Sequence, residues 1–193
     1  MARLQWKKYR TIAFISAVVL FYLIIHSQSY EHKAFIFLPK VHPNAPWEFV
    51  ADFSNMKFLN PTIISFNILK ESGNYEHWKY TTEYYEKLSH WPYLPNYSVA
   101  HFNVKASPKK DVYFINSVHQ TCLFMGYYCL NSESEFKFYH SNSSKGALCE
   151  EFVRYECPFI LSSFCRREVQ YQRNAIMNNL SKKFTGKSTN ILS

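Results

Sequence analysis

An α+β domain is what this sequence predicts: an antiparallel sheet of roughly six to seven strands packed on one long C-terminal helix, with two short helices after the first strand. Three observations carry that reading. A proline-started pair of short helical runs lies between residues 44 and 61, a series of segments with apolar period two follows, and the period returns to helical spacing after Cys157-Pro158. A hydrophobic helix is expected ahead of all of these, which divides the chain into a leader at 1–29, a folded domain at 30–186 and a tail at 187–193.

The leader has the charge order of a targeting segment. Arg3, Lys7, Lys8 and Arg10 precede an uncharged run from Thr11 to Ile25, and no acidic residue occurs before Glu31. Basic residues ahead of an apolar stretch hold the N-terminus in the cytosol and send the following chain across the membrane. A helix from Tyr9 to His26 would cover about 27 Å against a hydrocarbon core of about 30 Å, which suits a single-pass signal-anchor only marginally. Ser27 and Ser29 also fit a small-x-small cleavage pattern, so a membrane anchor and a removed signal peptide both stay open. Either way the domain is expected in the lumen or outside the cell.

The first short helical run begins at Ala45-Pro46, because proline in a first helical turn gives up no hydrogen bond and its fixed φ suits a helix start. Trp47, Val50, Ala51 and Phe53 to Met56 recur at three- and four-residue spacing, and Asn60-Pro61 ends the run. Helices this short need something larger to plug. The stretch Val41-His42-Pro43-Asn44-Ala45-Pro46-Trp47-Glu48-Phe49-Val50-Ala51-Asp52-Phe53-Ser54-Asn55-Met56, closed by Leu59-Asn60-Pro61-Thr62, resembles the opening of the START-like superfamily, also called SRPBCC or polyketide cyclase/dehydrase-like. The resemblance implies a helix-grip fold, in which a curved sheet closes over a long C-terminal helix around an apolar cavity.

Strand signals fill the middle of the chain. Ile64, Phe66 and Ile68 alternate in one run that ends at the turn cluster Glu71-Ser72-Gly73-Asn74. Trp78, Tyr80, Thr82, Tyr84 and Leu88 then share one face against Lys79, Glu83 and Lys87 on the other, the pattern of a half-buried antiparallel strand. His90-Trp91-Pro92-Tyr93-Leu94-Pro95 reads as a rim loop. Phe102 and Val104, then Phe114 and Val118, then Phe136 and Phe138, then Val153 and Tyr155 continue the pattern. A two-residue turn at Met125-Gly126 would set Cys122 opposite Cys129 but would also put Glu133, Glu135 and Lys137 on the face of Phe114 and Val118; a longer turn or a bulge is expected, since a slip of one residue exchanges the faces, and this register argues against a cross-strand Cys122–Cys129 bond. Leu161, Cys165, Val169, Ile176, Leu180 and Phe184 form the apolar stripe of the last helix, with Arg166, Arg167, Gln170, Arg173 and Lys182 off it.

Composition excludes some functions. The net charge of +8 falls to +4 once the leader's four basic residues are set aside, leaving 18 basic against 14 acidic residues, an ordinary mixed surface that argues against nucleic acid. The five cysteines, Cys122, Cys129, Cys149, Cys157 and Cys165, have no metal-ligand spacing, and no His stands at such spacing to them. Disulfides, Cys157 with Cys165 or Cys122 with Cys129 among them, are expected over metal. Asn96, Asn142 and Asn179 each open a glycosylation sequon.

No motif for a cofactor, phosphate loop or activated nucleophile is present, and His77, His90, His101, His119 and His140 are scattered over turns, a rim loop and polar faces. No catalytic residue is assigned. The expected site is the pocket between helix and sheet, with Trp78, Tyr80, Tyr84, Phe102, Phe114, Val118, Phe136, Phe138, Val169 and Ile176 as its lining and a lipid or other apolar small molecule as its ligand. Two other functions remain: an enzyme of the START-like type acting on an apolar substrate, and a protein-binding module whose interior its own side chains fill.

Overall fold

The computed structural model describes residues 2–123, 126–141 and 145–187. Its elements run α1 (Ala2–Ile25), β1 (Ser27–Pro39), α2 (Asn44–Ala51), α3 (Phe53–Leu59), β2 (Ile63–Asn74), β3 (His77–Lys87), β4 (Pro95–Ala106), β5 (Val112–Leu123), β6 (Tyr128–His140), β7 (Gly146–Pro158) and α4 (Ser162–Thr185). The seven strands form one antiparallel sheet in the order β1-β7-β6-β5-β4-β3-β2. This is the helix-grip arrangement: a meander from β2 to β7, closed by the first strand against the last, with α4 across the concave face.

The two short helices close one end of that face. Pro46 sits in the first turn of α2, and Asp52 caps α3 by accepting a hydrogen bond from the Ser54 amide at 2.9 Å. Trp47 is buried against Tyr113, and its indole donates to the Phe114 carbonyl at 3.2 Å; the Tyr80 hydroxyl donates to the Ala51 carbonyl at 2.9 Å. Phe53 inserts among Phe66, Tyr84 and Phe102. The aromatic side chains therefore give the core its bulk while their polar tips find backbone partners.

The C-terminal half of α4 is packed conventionally. Ile176, Met177 and Leu180 are fully buried in the same core as Ala34, Ile36 and Leu38 of β1. The helix stops at Gly186, whose left-handed backbone (φ 68°) lets its amide reach back to the Lys182 carbonyl at 3.0 Å.

Several expectations change. The turn placed at Glu71 to Asn74 is strand: β2 runs on to Asn74, the chain reverses at Tyr75-Glu76, and Asn74 Oδ1 accepts from the Glu76 and His77 amides. Gly73 belongs to that reversal, since its φ of 107° and the His77 carbonyl pressed against the place a Cβ would occupy leave no room for a side chain. On β5 the buried face carries Tyr113, Ile115 and Ser117, so Phe114 and Val118 point the other way, with Val118 49% exposed. That resolves the register conflict without a slip. Cys122 faces Cys129 directly and bonds to it, while Phe114, Asn116 and Val118 share the outer face with Lys137, Glu135 and Glu133. The ladder ends at Leu123 and Tyr128, so the turn is longer than two residues, and its Met125 lies outside the described residues.

A second disulfide joins Cys157 at the end of β7 to Cys165 in the first turn of α4, and Cys149 is a buried free thiol, not a disulfide partner. In α1, apolar side chains such as Ile12, Phe14, Val18 and Phe21 are exposed, yet among the described residues no helix is long and apolar enough to cross a membrane. The expected transmembrane span falls on α1, a helix that does not meet that requirement.

The Cys157–Cys165 link closes a loop across eight positions, for which chain entropy predicts about 2.5 kcal/mol of stabilisation. Replacing both cysteines by serine should lower the free energy of urea unfolding by about that amount, with the fold retained by circular dichroism.

Candidate functional site

Between α4 and the sheet lies a cavity of about 600 Å³. Its floor is the apolar face of the short helices, Val50, Phe53 and Met56, with Ile115, Phe136 and Ile176 around them; its rim is Leu88, Trp91 and Leu94 of the loop before β4, Leu130 on β6, and Leu161 and Phe164 at the start of α4. The space exists because the inward positions of the middle strands carry short side chains. Ser117 and Thr121 on β5, and Ser132 and Ser134 on β6, leave room where phenylalanines would have filled it.

The cavity wall is not uniformly apolar. Arg173 on α4 donates to Glu151 Oε1 on β7 at 2.5 Å, and Ser134 Oγ donates to the same oxygen at 2.8 Å. Glu151 is fully buried and the Arg173 side chain 20% exposed, so the pair spans the gap between helix and sheet. Burial works against the Arg173 charge, but the Glu151 carboxylate more than compensates and raises its pKa. One turn closer to the N-terminus, Glu168 accepts from the Ser89 amide at 2.9 Å, the Ser89 hydroxyl at 2.7 Å and the Gln172 amide at 3.2 Å, which fastens the rim loop to the helix.

Two further buried groups face the same space. Glu86 on β3 makes no hydrogen bond to the described residues, and burial, reinforced by the charge of Glu168 and opposed by Arg173, pushes its pKa from 4.5 up to about 7. His119 on β5 bridges the Tyr84 hydroxyl at 2.9 Å and Ser117 Oγ at 2.8 Å, and burial, with Arg173 and His101 adding to it, lowers its pKa to about 3. It is a neutral imidazole with both nitrogens engaged.

In the folded chain the predicted lining divides evenly. Tyr84, Phe102, Phe136, Val169 and Ile176 lie on the cavity wall. Tyr80 and Phe138 are buried in the packed core beyond it, Trp78 packs on Tyr80 near the β2–β3 reversal, and Phe114 and Val118 face outward for the reason of strand phase already given. Arg173, expected on the polar side of α4, points inward. Of the sequons, Asn96 is 2% exposed with its side chain on the cavity wall, where a glycan has no space. The Asn179 amide donates to the Leu59 carbonyl at 3.0 Å, and Asn142 lies outside the described residues. The sequence reading missed Glu86, Glu151, Glu168 and Arg173. Glu86 and Glu151 carried a usable signal, because they continue the Tyr80, Thr82, Tyr84 face of β3 and the Val153, Tyr155 face of β7.

Solved structures share this architecture at low sequence identity. A conserved protein from Geobacillus kaustophilus superposes with a TM-score of 0.54 and 12% identity over 83% of this chain and 98% of its own. Ara h 8.0201 matches with a TM-score of 0.52 and 12% identity over 84% of this chain and 100% of its own. A protein from Thermus thermophilus matches with a TM-score of 0.52 and 9% identity over 85% of this chain and 100% of its own. The fold is shared. No protein-family model matches the chain, and no curated protein matches it in sequence.

The two shifted groups give opposite pH slopes. Folded Glu86 keeps its proton where the unfolded chain releases it, so its contribution is full below pH 4.5 and is lost as pH rises through about 7. Folded His119 stays neutral where the unfolded chain is protonated, so its contribution is full above pH 6.5 and is lost as pH falls toward 3. Urea midpoints across pH should therefore show Glu86→Gln gaining on the wild type from pH 4.5 to 7 and levelling beyond. His119→Gln should gain on it as pH falls below 6.5.

Proposed function

We propose that this chain binds a lipid-like small molecule in the cavity between α4 and the sheet. The observation that carries the reading is an open volume of about 600 Å³ with an apolar floor and an apolar rim, in the range of sites that enclose a drug-sized or lipid-sized ligand. A module whose interior is filled by its own side chains would lack such a space. Trp91 and Tyr93 in the rim loop, 56% and 87% exposed, are residue types favoured at a bilayer surface, which suits a site that exchanges its ligand with a membrane.

The same proposal puts the folded domain in the secretory pathway or outside the cell, tethered or released. Its supports are the basic tip ahead of an uncharged run and the two disulfides, which persist in oxidising compartments.

Native mass spectrometry of protein purified from eukaryotic cells should show an apolar adduct that lipid extraction removes. Ser132→Trp, which puts an indole into the cavity from β6, should lower uptake of a neutral fluorescent apolar probe at least tenfold while leaving the thermal midpoint within a few degrees. Equal uptake by the variant and the wild type would place binding elsewhere and end this reading.

A further inference from the structure

The polar groups of the cavity wall fall into two sets, and the difference between them specifies the ligand's chemistry, given that the cavity is the binding site proposed above. In the first set hydrogen bonding is internal. Thr121 Oγ1 bonds the buried Ser98 Oγ behind the wall at 2.8 Å, His119 joins Tyr84 to Ser117, and Glu168 is held by Ser89 and Gln172. In the second set groups are buried without partners among the described residues. Asn96 Oδ1, the Tyr128 hydroxyl, Glu151 Oε2 and Arg173 Nε have no hydrogen bond, and Asn96 is 2% exposed; Glu86, its cross-strand neighbour in the β3–β4 ladder, is 8% exposed and its carboxyl also accepts none from the described residues. Buried polar atoms are nearly always satisfied in folded proteins, and the neighbours Asn96 and Glu86 present an orphaned amide oxygen and an unpartnered carboxyl side by side to the open space.

Charge narrows what can satisfy them. The wall carries four carboxyl groups, Glu86, Glu151, Glu156 and Glu168, against the single guanidinium of Arg173, which is already engaged by Glu151. His119 adds no cation. An anionic ligand would thus meet Glu86 and Glu168 in a low-dielectric interior with no free positive charge to offset them. The Nε–H of Arg173, without a partner among the described residues, can donate to a lone pair, which a hydroxyl also supplies.

We propose that the cavity selects an amphiphile whose polar group donates hydrogen bonds and bears no negative charge, a hydroxyl or an amine, with that group against Asn96 Oδ1 and the Glu86 carboxyl. Carboxylate-headed lipids of the same chain length are rejected. Glu86 sets the response to pH for the amine: the groups that bear on it are Arg173 and Glu168 from α4, with Asn96 beside it on β4 and Tyr84 on its own strand. Amine affinity rises as Glu86 ionises, whereas alcohol affinity changes little.

The test uses the full chain, stripped of lipid and loaded with N-phenylnaphthylamine, with Ser132→Trp as the control for probe bound outside the cavity. Dodecanol, dodecylamine, dodecanoate and dodecane are compared as displacers at pH 8. Dodecanol and dodecylamine should displace the probe at concentrations at least tenfold lower than dodecanoate. Dodecylamine should strengthen between pH 6 and pH 8 in the wild type and stay level in the nearly isosteric Glu86→Gln. Asn96→Leu should cut the alcohol-to-carboxylate ratio to below threefold, with folding checked by its thermal midpoint. Dodecanoate competing as well as the alcohol, or Glu86→Gln keeping the wild-type amine profile, overturns the headgroup assignment while apolar binding stands. Failure of the probe and of every C12 compound, dodecane included, overturns the binding function itself.

Discussion

A buried ion pair sets the spacing of the molecule. Arg173 and Glu151 meet across the gap between α4 and β7, and the contact ties the middle of the helix to the sheet. Neither partner tolerates loss of the other, because a lone buried charge costs far more than the pair. The C-terminal half needs no such device: Ile176, Met177 and Leu180 lie directly on the core. The helix is thus seated by apolar packing at both ends, Cys165 and Val169 resting on Val153, Tyr155 and Cys157, with the ion pair bridging the gap at its middle beside the cavity.

The rest of the site follows from that bridged gap. Glu168 fastens Ser89 and so holds the rim loop, and the Cys157–Cys165 bond ties the start of the helix to the end of β7. Small polar residues on β5 and β6 keep the wall thin, while Phe53 and Phe136 close the floor. Cavities are costly when dry and apolar. An interior with both apolar surface and unpartnered polar atoms is one that a mixed-character ligand stabilises by filling. Burial leaves Glu86 largely protonated below neutral pH and His119 uncharged, which limits the number of isolated charges the empty site must bear.

Much of the fold was legible in the sequence. Pro46 and Pro61 bracket the short helices, the period-two segments give the strands, and the last helix shows its apolar stripe. The site was less legible, for two physical reasons. On β5 both faces carry apolar residues, Tyr113 and Ile115 on one and Phe114 and Val118 on the other, so alternation alone does not choose the phase. Only the pairing of Cys122 with Cys129 and the grouping of Phe114 with Lys137 do so. On α4 the inward residues Glu168, Gln172 and Arg173 are polar, and a polar residue on a helix reads as solvent-facing until its partner on another strand is known. Glu151 and Arg173 are 22 residues apart in the chain, and no local period links them.

A crystal structure of the ligand-free wild-type protein at neutral pH measures the bridged gap directly. The expected result is Arg173 bound to Glu151 and a solvent-filled volume near 600 Å³ between α4 and the sheet. Arg173 turned to solvent, with α4 settled onto Ser117 and Ser134 and the interior closed, would contradict it.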